Sequence, residues 1–595
     1  MFRRGVGLSL FVVVLVALLP GSTVAGSPGQ AATVQSEVWQ VLQAQGQAEV
    51  LVVLHNQADL SRARTLPTKE ARGRYVYETL WTTAQSSQRG LRASLDARGI
   101  DYQPFYIVDA ILVRAGAPLV QELAARADVA RIELNPWVRI DTGPPATPSP
   151  AQTTAGTITG VEPNLIRIHA DDVWALGFTG QGAVVGGQDT GYDWDHAALK
   201  NQYRGWNGTS VDHDYNWHDA IHSGGGICGA DSPEPCDDYG HGTHTMGIMV
   251  GDDGGIHRIG VAPDAQWIGC RNMDEGVGSP ATYMECFEFF LAPYPVGGTP
   301  VQGDPALAPD VVNNSWSCPP GEGCVADTLE ASVDALRQAG IVVVVSASNS
   351  GPACSTVSDP PAIYQQAFSV GAFSLSGDQI ASFSSRGPVT YGGETYVKPD
   401  LAAPGVSITS SLPGGGYGGM SGTSMAAPHV GGAVALLLSA APAYRGDVDA
   451  LEAVLTGTAE PKTTAQACSG DGPSDVPNNV WGWGILDTLA AVESGVLRGT
   501  VTDAAAGSPV AGAEIVADPP AGSNAISDSS GHFVLALPAD TYSVTAQAKG
   551  YLSHTISGVT VASRQMAIQD FSLEPLPLWR IYLPLTAKLA VKPPG

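Results

Sequence analysis

Charge is scarce in this sequence, and positive charge is the scarcer sign. Only 15% of the 595 residues are Asp, Glu, Lys or Arg, with 30 Lys and Arg against 57 Asp and Glu. The imbalance is uneven: residues 30–140 hold 12 basic and 11 acidic side chains, whereas residues 143–595 hold 16 and 45. No Lys/Arg cluster interrupts the acidic part, so its surface repels phosphate backbones and excludes nucleic acid as a partner. The acidity itself reads as a solubility feature.

Two further absences narrow the class. None of the eight cysteines forms a Cys-x-x-Cys pair, which removes the usual zinc-site signature. Beyond residue 26 no apolar run has the length of a bilayer span. The first 26 residues hold Arg3 and Arg4, an apolar run over 8–19, and then Gly21, Ser22, Thr23, Val24 and Ala25. That order predicts a secretory signal peptide over 1–25, cut after Ala25, and a secreted chain with no membrane attachment afterwards. Cysteines in an exported chain predict disulfides. Close spacing suggests Cys228–Cys236, Cys270–Cys286 and Cys318–Cys324, leaving Cys354–Cys468. Eight cysteines allow roughly a hundred pairings, so others stay open.

What is present is a long, apolar, turn-rich chain, 44% hydrophobic with 71 Gly and 43 Pro, which calls for several folded domains. Residues 33–140 read as a small α+β unit. A strand covers Val50 to Leu54, Val76, Leu80, Leu91 and Leu95 recur at helical spacing, and Ala110 to Val113 is again strand-like. A helix over 119–127 then precedes a strand over 129–134. Residues 141–160, rich in Pro, Thr, Ala and Gly, read as an exposed linker open to proteolysis.

Residues 161–495 alternate apolar runs with helical patterns. Ala183 to Gln188 and Ile341 to Val345 have the look of strands buried on both faces, and 328–339 is amphipathic. The expected class is α/β, a three-layer domain with a mostly parallel sheet whose working residues lie past the carboxyl ends of its strands. Residues 496–574 carry short strands at 499–503, 508–515, 531–535 and 542–546, a small β-sandwich. Residues 575–595 form a tail with no reading.

Three stretches of the middle segment carry chemistry. Asp189, in Asp189-Thr190-Gly191, ends an apolar strand where a carboxylate is sheltered. His241 lies in Gly240-His241-Gly242-Thr243-His244, whose small residues open a closely packed helix. Ser424 lies in Gly422-Thr423-Ser424-Met425-Ala426-Ala427-Pro428-His429, in the first turn of an apolar helix where backbone N–H groups are free and the dipole is positive. Alone, each is equally a turn, a helix entry or a helix cap. Together they supply a nucleophile, a base and an orienting carboxylate, the requirements of serine acyl transfer.

With Lys398-Pro399-Asp400-Leu401-Ala402-Ala403-Pro404-Gly405, these motifs make residues 161–495 resemble the peptidase domain of the subtilase (subtilisin-like) family. Asn313-Asn314-Ser315-Trp316 and the cysteine-bearing insertions are most similar to its bacillopeptidase F group. The resemblance implies a serine endopeptidase with Asp189, His241 and Ser424 as triad and protein or peptide substrates. It implies Asn349 as oxyanion donor, with Ser348 standing where the family usually has glycine. It also implies substrate walls from Ser315, Trp316, Ser317 and from Ser346, Ala347, Ser348. Asp359 is a candidate for a pocket floor favouring basic side chains, against the plainer reading of an Asp-Pro turn. No cofactor is required for such chemistry, while structural calcium is a family feature. Ala198 replaces one frequent calcium ligand, and Asp252 and Asp253 are the alternative donors. Residues 33–140 resemble the family's inhibitory propeptide, and 496–574 a carboxypeptidase-regulatory-like or Cna-B-type module. The competing readings are a non-catalytic secreted adhesion protein, and an esterase or ligase using the same triad. The chain is read as a monomer.

Overall fold

A computed structural model describes residues 32–143, 160–255, 257–520 and 524–576; the signal-peptide stretch, most of the linker and the tail lie outside it. Its centre is an eight-stranded sheet. Strands run in the spatial order Gln379–Ile380, Phe368–Ser374, Val342–Ser346, Val311–Asn314, Val184–Asp189, Gln266–Arg271, Trp217–Asp219, and Leu401–Pro404 also pairs with Phe368–Ser374. Every pairing is parallel except that of Gln379–Ile380. The expected class is therefore the observed one.

Alternation along the strands explains why both faces are covered. Val342 and Val344 point into one core with the helices His241–Val250, Thr423–Ala440 and Val448–Gly457. Val343 and Val345 point into the opposite core with Pro280–Leu291 and Glu330–Gln338. Each buried side chain of this size contributes about 1.5–3 kcal/mol, which makes a one-residue slip of register prohibitive. Helix Thr423–Ala440 has the length and hydropathy of a membrane span, yet 89% of it is buried inside the protein. It is the core helix of the fold, and its apolar composition reflects that position.

Residues 33–134 form a second, five-stranded sheet, Thr33–Val34, Val129–Leu134, Gln47–Leu54, Ala110–Gly116 and Tyr102–Phe105 in spatial order. Val50, Val52 and Leu54 face its own small core, whereas Leu51 and Val53 belong to the large core shared with the central domain. The helical pattern of Val76 to Leu95 is two helices, Lys69–Ser87 and Arg89–Asp96, with Gln88 at the join. The unit docks on helix Pro280–Leu291 through the buried Glu288, whose Oε1 accepts the N–H of Ile107 at 2.9 Å and that of Tyr106. Tyr106 also donates its hydroxyl to the Glu288 carbonyl (2.9 Å).

Burial pushes the Glu288 carboxyl well above its ordinary range. A carboxyl with a raised folded-state pKa contributes stability that is complete below its ordinary value and lost as pH rises through the shifted one. Glu288→Gln keeps the two acceptor contacts without the charge. It is expected to raise the thermal midpoint of the intact chain at pH 8 and to leave it unchanged near pH 4, as melting curves across that range would register.

The C-terminal sandwich is fused to the centre. Strand Ser494–Asp503 runs out of helix Thr488–Glu493, and Val496 and Ala536 lie in the central core. Its sheets are His532–Pro538, Ser494–Asp503 and Met566–Ile568, with Phe571–Leu573, against Ala525–Ile526, Glu514–Asp518, Asp540–Gln547 and His554–Val561. The pattern over 508–515 becomes a strand only from Glu514. In His554–Val561 the inward residues Ile556, Val559 and Val561 are thrown out of step by a register shift at Gly558, which hides the alternation.

All four disulfides are the ones that spacing suggested. Cys354–Cys468 spans 114 residues and Cys318–Cys324 only 6. Replacing both Cys354 and Cys468 by serine is expected to cost about 2–5 kcal/mol in denaturant unfolding, more than opening the short loop, because the longer loop restricts the unfolded chain more.

Candidate active site

Three strand ends and two helix starts meet at the carboxyl edge of the central sheet. Asp189 closes strand Val184–Asp189. Its Oδ1 accepts His241 Nδ1 and the Thr190 N–H, both at 2.8 Å, and Oδ2 accepts the Thr245 hydroxyl at 3.3 Å. His241 is the first residue of helix His241–Val250. A Cβ on Gly242 would lie 2.1 Å from the Gly191 carbonyl oxygen, so glycine is what lets this helix approach the strand end. Gly240 adopts φ 94°, the left-handed region that glycine enters without strain.

Asp237 organises this corner, and the sequence reading missed it. Its Oδ1 accepts the Gly240 N–H (2.7 Å) and the Thr190 hydroxyl (2.9 Å), and its Oδ2 accepts the Thr243 N–H (2.9 Å) and hydroxyl (2.6 Å). It satisfies free N–H groups at the helix start while tying the Asp189 loop to it. The available signal was an Asp four residues before His241.

Ser424 is the second residue of helix Thr423–Ala440. Its hydroxyl donates to the Ser315 carbonyl (3.1 Å), and the Ser315 hydroxyl donates back to the Ser424 carbonyl (2.9 Å). Asn313 Nδ2 donates to the Ser315 hydroxyl at 2.9 Å, fixing this exchange from the strand below. Asn349 follows strand Val342–Ser346, and its Oδ1 accepts both the N–H (2.9 Å) and the hydroxyl (3.0 Å) of Thr423. Ser348, before it, has φ 74°: the serine occupies the conformation that favours glycine. The structure thus joins Asp189 to His241, and Ser424 to Ser315 with Asn349 alongside. No described hydrogen bond joins Ser424 to His241, and His241 Nε2 is buried without a partner among the described residues.

Burial holds the neighbouring histidines neutral. His244, whose Nε2 lies 3.1 and 3.0 Å from the carbonyls of Ile408 and Gly418, is pushed down to about 3 by burial and then by His241. His429, with Nδ1 on the Met425 carbonyl, is pushed down to about 4 by burial. Neither adds positive charge beside the His241–Asp189 pair.

An extended segment of the N-terminal unit lies across this edge. Strand Val138–Arg139 pairs antiparallel with Val277–Gly278, and the Ile140 N–H donates to the Gly276 carbonyl at 2.8 Å. The Arg139 N–H reaches Glu322 Oε2 (3.3 Å) on the loop closed by Cys318–Cys324. Asn349 Nδ2 donates to the Asp141 carbonyl at 3.1 Å. The edge at 276–278 and Glu322 were not anticipated. Trp316 is a wall of another kind: its ring is buried and stacked on Tyr283 at 3.9 Å. Ser317 follows it, and the backbone at Ala347 and Ser348 is used inside the protein, by Val370 and Ser385. Asp359 is partly buried and raised above its ordinary range by burial, with Asp141 and Glu322 adding repulsion.

The calcium donors considered above do not fit a cation. Asp253 Oδ2 takes His257 Nδ1 at 2.6 Å and Asp252 faces the Arg258 guanidinium at 3.8 Å, while Ala198 offers its carbonyl to the Asp252 N–H.

Comparison with known proteins agrees with this geometry. Residues 180–484 match the model of the subtilase family, and residues 496–574 that of the carboxypeptidase regulatory-like domain. Bacillopeptidase F of Bacillus subtilis (strain 168) is 36% identical over 452 residues, 73% of this chain and 29% of that protein. Subtilisin E of the same organism is 32% identical over 280 residues, 47% of this chain and 61% of the relative. The chain thus spans less than a third of the first and about three fifths of the second. Subtilisin of Bacillus pumilus is 31% identical over 280 residues and is covered over 84% of its length. A family model spanning half the chain, over the very strands and helices that carry Asp189, His241 and Ser424, places it in the subtilase family.

Proposed function

We propose that this chain is a secreted serine endopeptidase that cuts peptide bonds in proteins through an acyl-enzyme. Ser424 is the nucleophile, His241 the general base and then acid, and Asp189 the carboxylate that fixes the imidazole tautomer by accepting Nδ1–H. Asn349 donates to the oxyanion. In the first step the Ser424 hydroxyl turns away from the Ser315 carbonyl and gives its proton to His241 Nε2, the ring atom left without a partner. Its oxygen adds to the substrate carbonyl, and the leaving amine departs with that proton. Water, deprotonated by the same nitrogen, then frees the acyl group. No cofactor takes part.

The observation that carries this reading is the placement of residues 138–141. An extended peptide is strand-paired to the cleft edge, and one of its carbonyls is held by the Asn349 amide, itself anchored to the residue before Ser424. Added-strand binding of this kind gives affinity through the main chain and suits protein substrates. The same contacts make the N-terminal unit an intramolecular inhibitor. Export is supported by the signal-like first 25 residues and by four disulfides. We read the chain as a monomer with no nucleic-acid partner. Hydrolysis of a denatured protein and of a simple ester, measured side by side, tests the reading: endopeptidase action predicts internal cuts in the protein. Turnover of the ester alone would favour an esterase, and no turnover of either a binding protein.

A further inference from the structure

The strand-paired segment 138–141 shows what each side chain of a bound peptide meets. Val138 and Ile140 are buried, whereas Arg139 and Asp141 are exposed. Asp141 is the residue whose carbonyl Asn349 Nδ2 holds, so its place is that of the residue whose carbonyl carbon Ser424 attacks in a substrate. Its own carboxylate folds back, with Oδ1 accepting the Gly143 N–H at 2.9 Å.

Asp359 stands beside that place, fixed from both flanks of the cleft. The Pro360 carbonyl accepts the Cys318 N–H at 2.8 Å, which ties the Asp359-Pro360 turn to the segment after Trp316. The Asp359 carbonyl accepts the Ala362 N–H at 3.0 Å, and its Oδ1 accepts the Ser358 hydroxyl at 3.1 Å. Ser348, on the other flank and 5% exposed, directs its hydroxyl towards the same carboxyl, yet that hydroxyl has no well-formed hydrogen bond among the described residues. Glu322, whose Oε2 accepts the Arg139 N–H at 3.3 Å, adds a second acid. Burial opposes ionisation of Asp359 first, and repulsion from Asp141 and Glu322 opposes it further. Among the described residues no lysine or arginine pairs with it.

We propose that Asp359, with Glu322 beside it, makes the enzyme select lysine or arginine as the residue whose carbonyl is attacked. This rests on the peptidase reading above and deepens it by naming the substrate class. A carboxylate partly withdrawn from water is costly without a partner, and a cationic side chain at this place supplies the counter-charge. Its N–H groups are donors for the carboxylate of Asp359 and the hydroxyl oxygen of Ser348. The resident Asp141 has the opposite sign, which is why it turns to its own backbone instead of engaging Asp359.

Peptides that differ only at this residue, carrying Arg, Lys, Leu or Asp, test the assignment on the active enzyme. Values of kcat/KM are expected to be about 10²-fold higher for Arg and Lys than for Leu, and lowest for Asp. Asp359→Asn keeps the size of the side chain and the acceptor for Ser358, and is expected to lower the Arg-to-Leu ratio by about 30-fold. A structural role for Asp359 would lower both substrates alike and leave the ratio where it was. Glu322→Gln, on an exposed loop, is expected to lower the ratio by about 3-fold and keeps the assignment testable should Asp359→Asn misfold. Equal cleavage after Arg and Leu by the unaltered enzyme, or a ratio that both variants leave unchanged, overturns the subsite and leaves the peptidase reading standing. Cleavage that persists in Ser424→Ala overturns the peptidase reading itself, and the subsite with it.

Discussion

Replacing Ser424 by alanine is expected to lower kcat on a protein substrate by about 10⁶-fold, close to 8 kcal/mol of transition-state stabilisation, without disturbing the fold. The side chain occupies the first turn of a buried helix, 1% exposed, and removal of one oxygen leaves the apolar helix packing intact. Its hydroxyl donates to the Ser315 carbonyl, and the variant keeps the bonds from Asn313 to the Ser315 hydroxyl and from that hydroxyl to the backbone carbonyl of residue 424. A variant with an unchanged melting curve and no turnover is therefore predicted. Folding loss in step with activity loss would point to a structural role instead.

The second large effect concerns Asn349. Its two side-chain atoms have separate duties: Oδ1 holds the N–H and hydroxyl of Thr423, and Nδ2 holds the Asp141 carbonyl. Asn349→Leu removes both and is expected to lower kcat by about 10²–10³-fold, roughly 3–4 kcal/mol, with KM little changed, because the donor acts on charge that develops only in the transition state. Asn349→Asp keeps the acceptor for Thr423 and loses the donor, so it separates the duties. A kcat for Asn349→Asp close to that of Asn349→Leu assigns the effect to the amide donor. Undiminished kcat in either variant contradicts it.

The residues of this site were legible in the sequence where the chemistry sits in short contiguous runs. Gly240 and Gly242 flank His241 because one needs a left-handed backbone and the other lies against the Asp189 loop, so the glycines and the histidine appear as one motif. The parallel sheet was legible for a related reason. Val342 to Val345 alternate between two cores, which makes an uninterrupted valine run a signature of burial on both faces.

Groups that act through distant pairing left no such mark. The edge at 277–278 is two residues long, paired on one side with Met273–Asp274 and on the other with Val138–Arg139, too short to leave a strand pattern. Glu288 sits on a helix whose every residue is buried, and nothing local distinguishes a carboxyl that receives the Tyr106 and Ile107 N–H groups from 182 and 181 residues away. Glu322 is placed by a six-residue disulfide loop rather than by a helix or strand. Asp237 was the nearest to visible, since its contacts to Gly240 and Thr243 are local, but its tie to Thr190 is not. Strand Ser494–Asp503 begins inside the central core, so the sandwich at 496–574 shares apolar side chains with it.

Which oxygen attacks decides the chemistry. Reaction of the matured enzyme with a fluorophosphonate, followed by peptide mapping, reads that atom directly. A single adduct on Ser424, with loss of activity in proportion, is the predicted result. An adduct on another serine, or full inhibition with Ser424 unmodified, would contradict it.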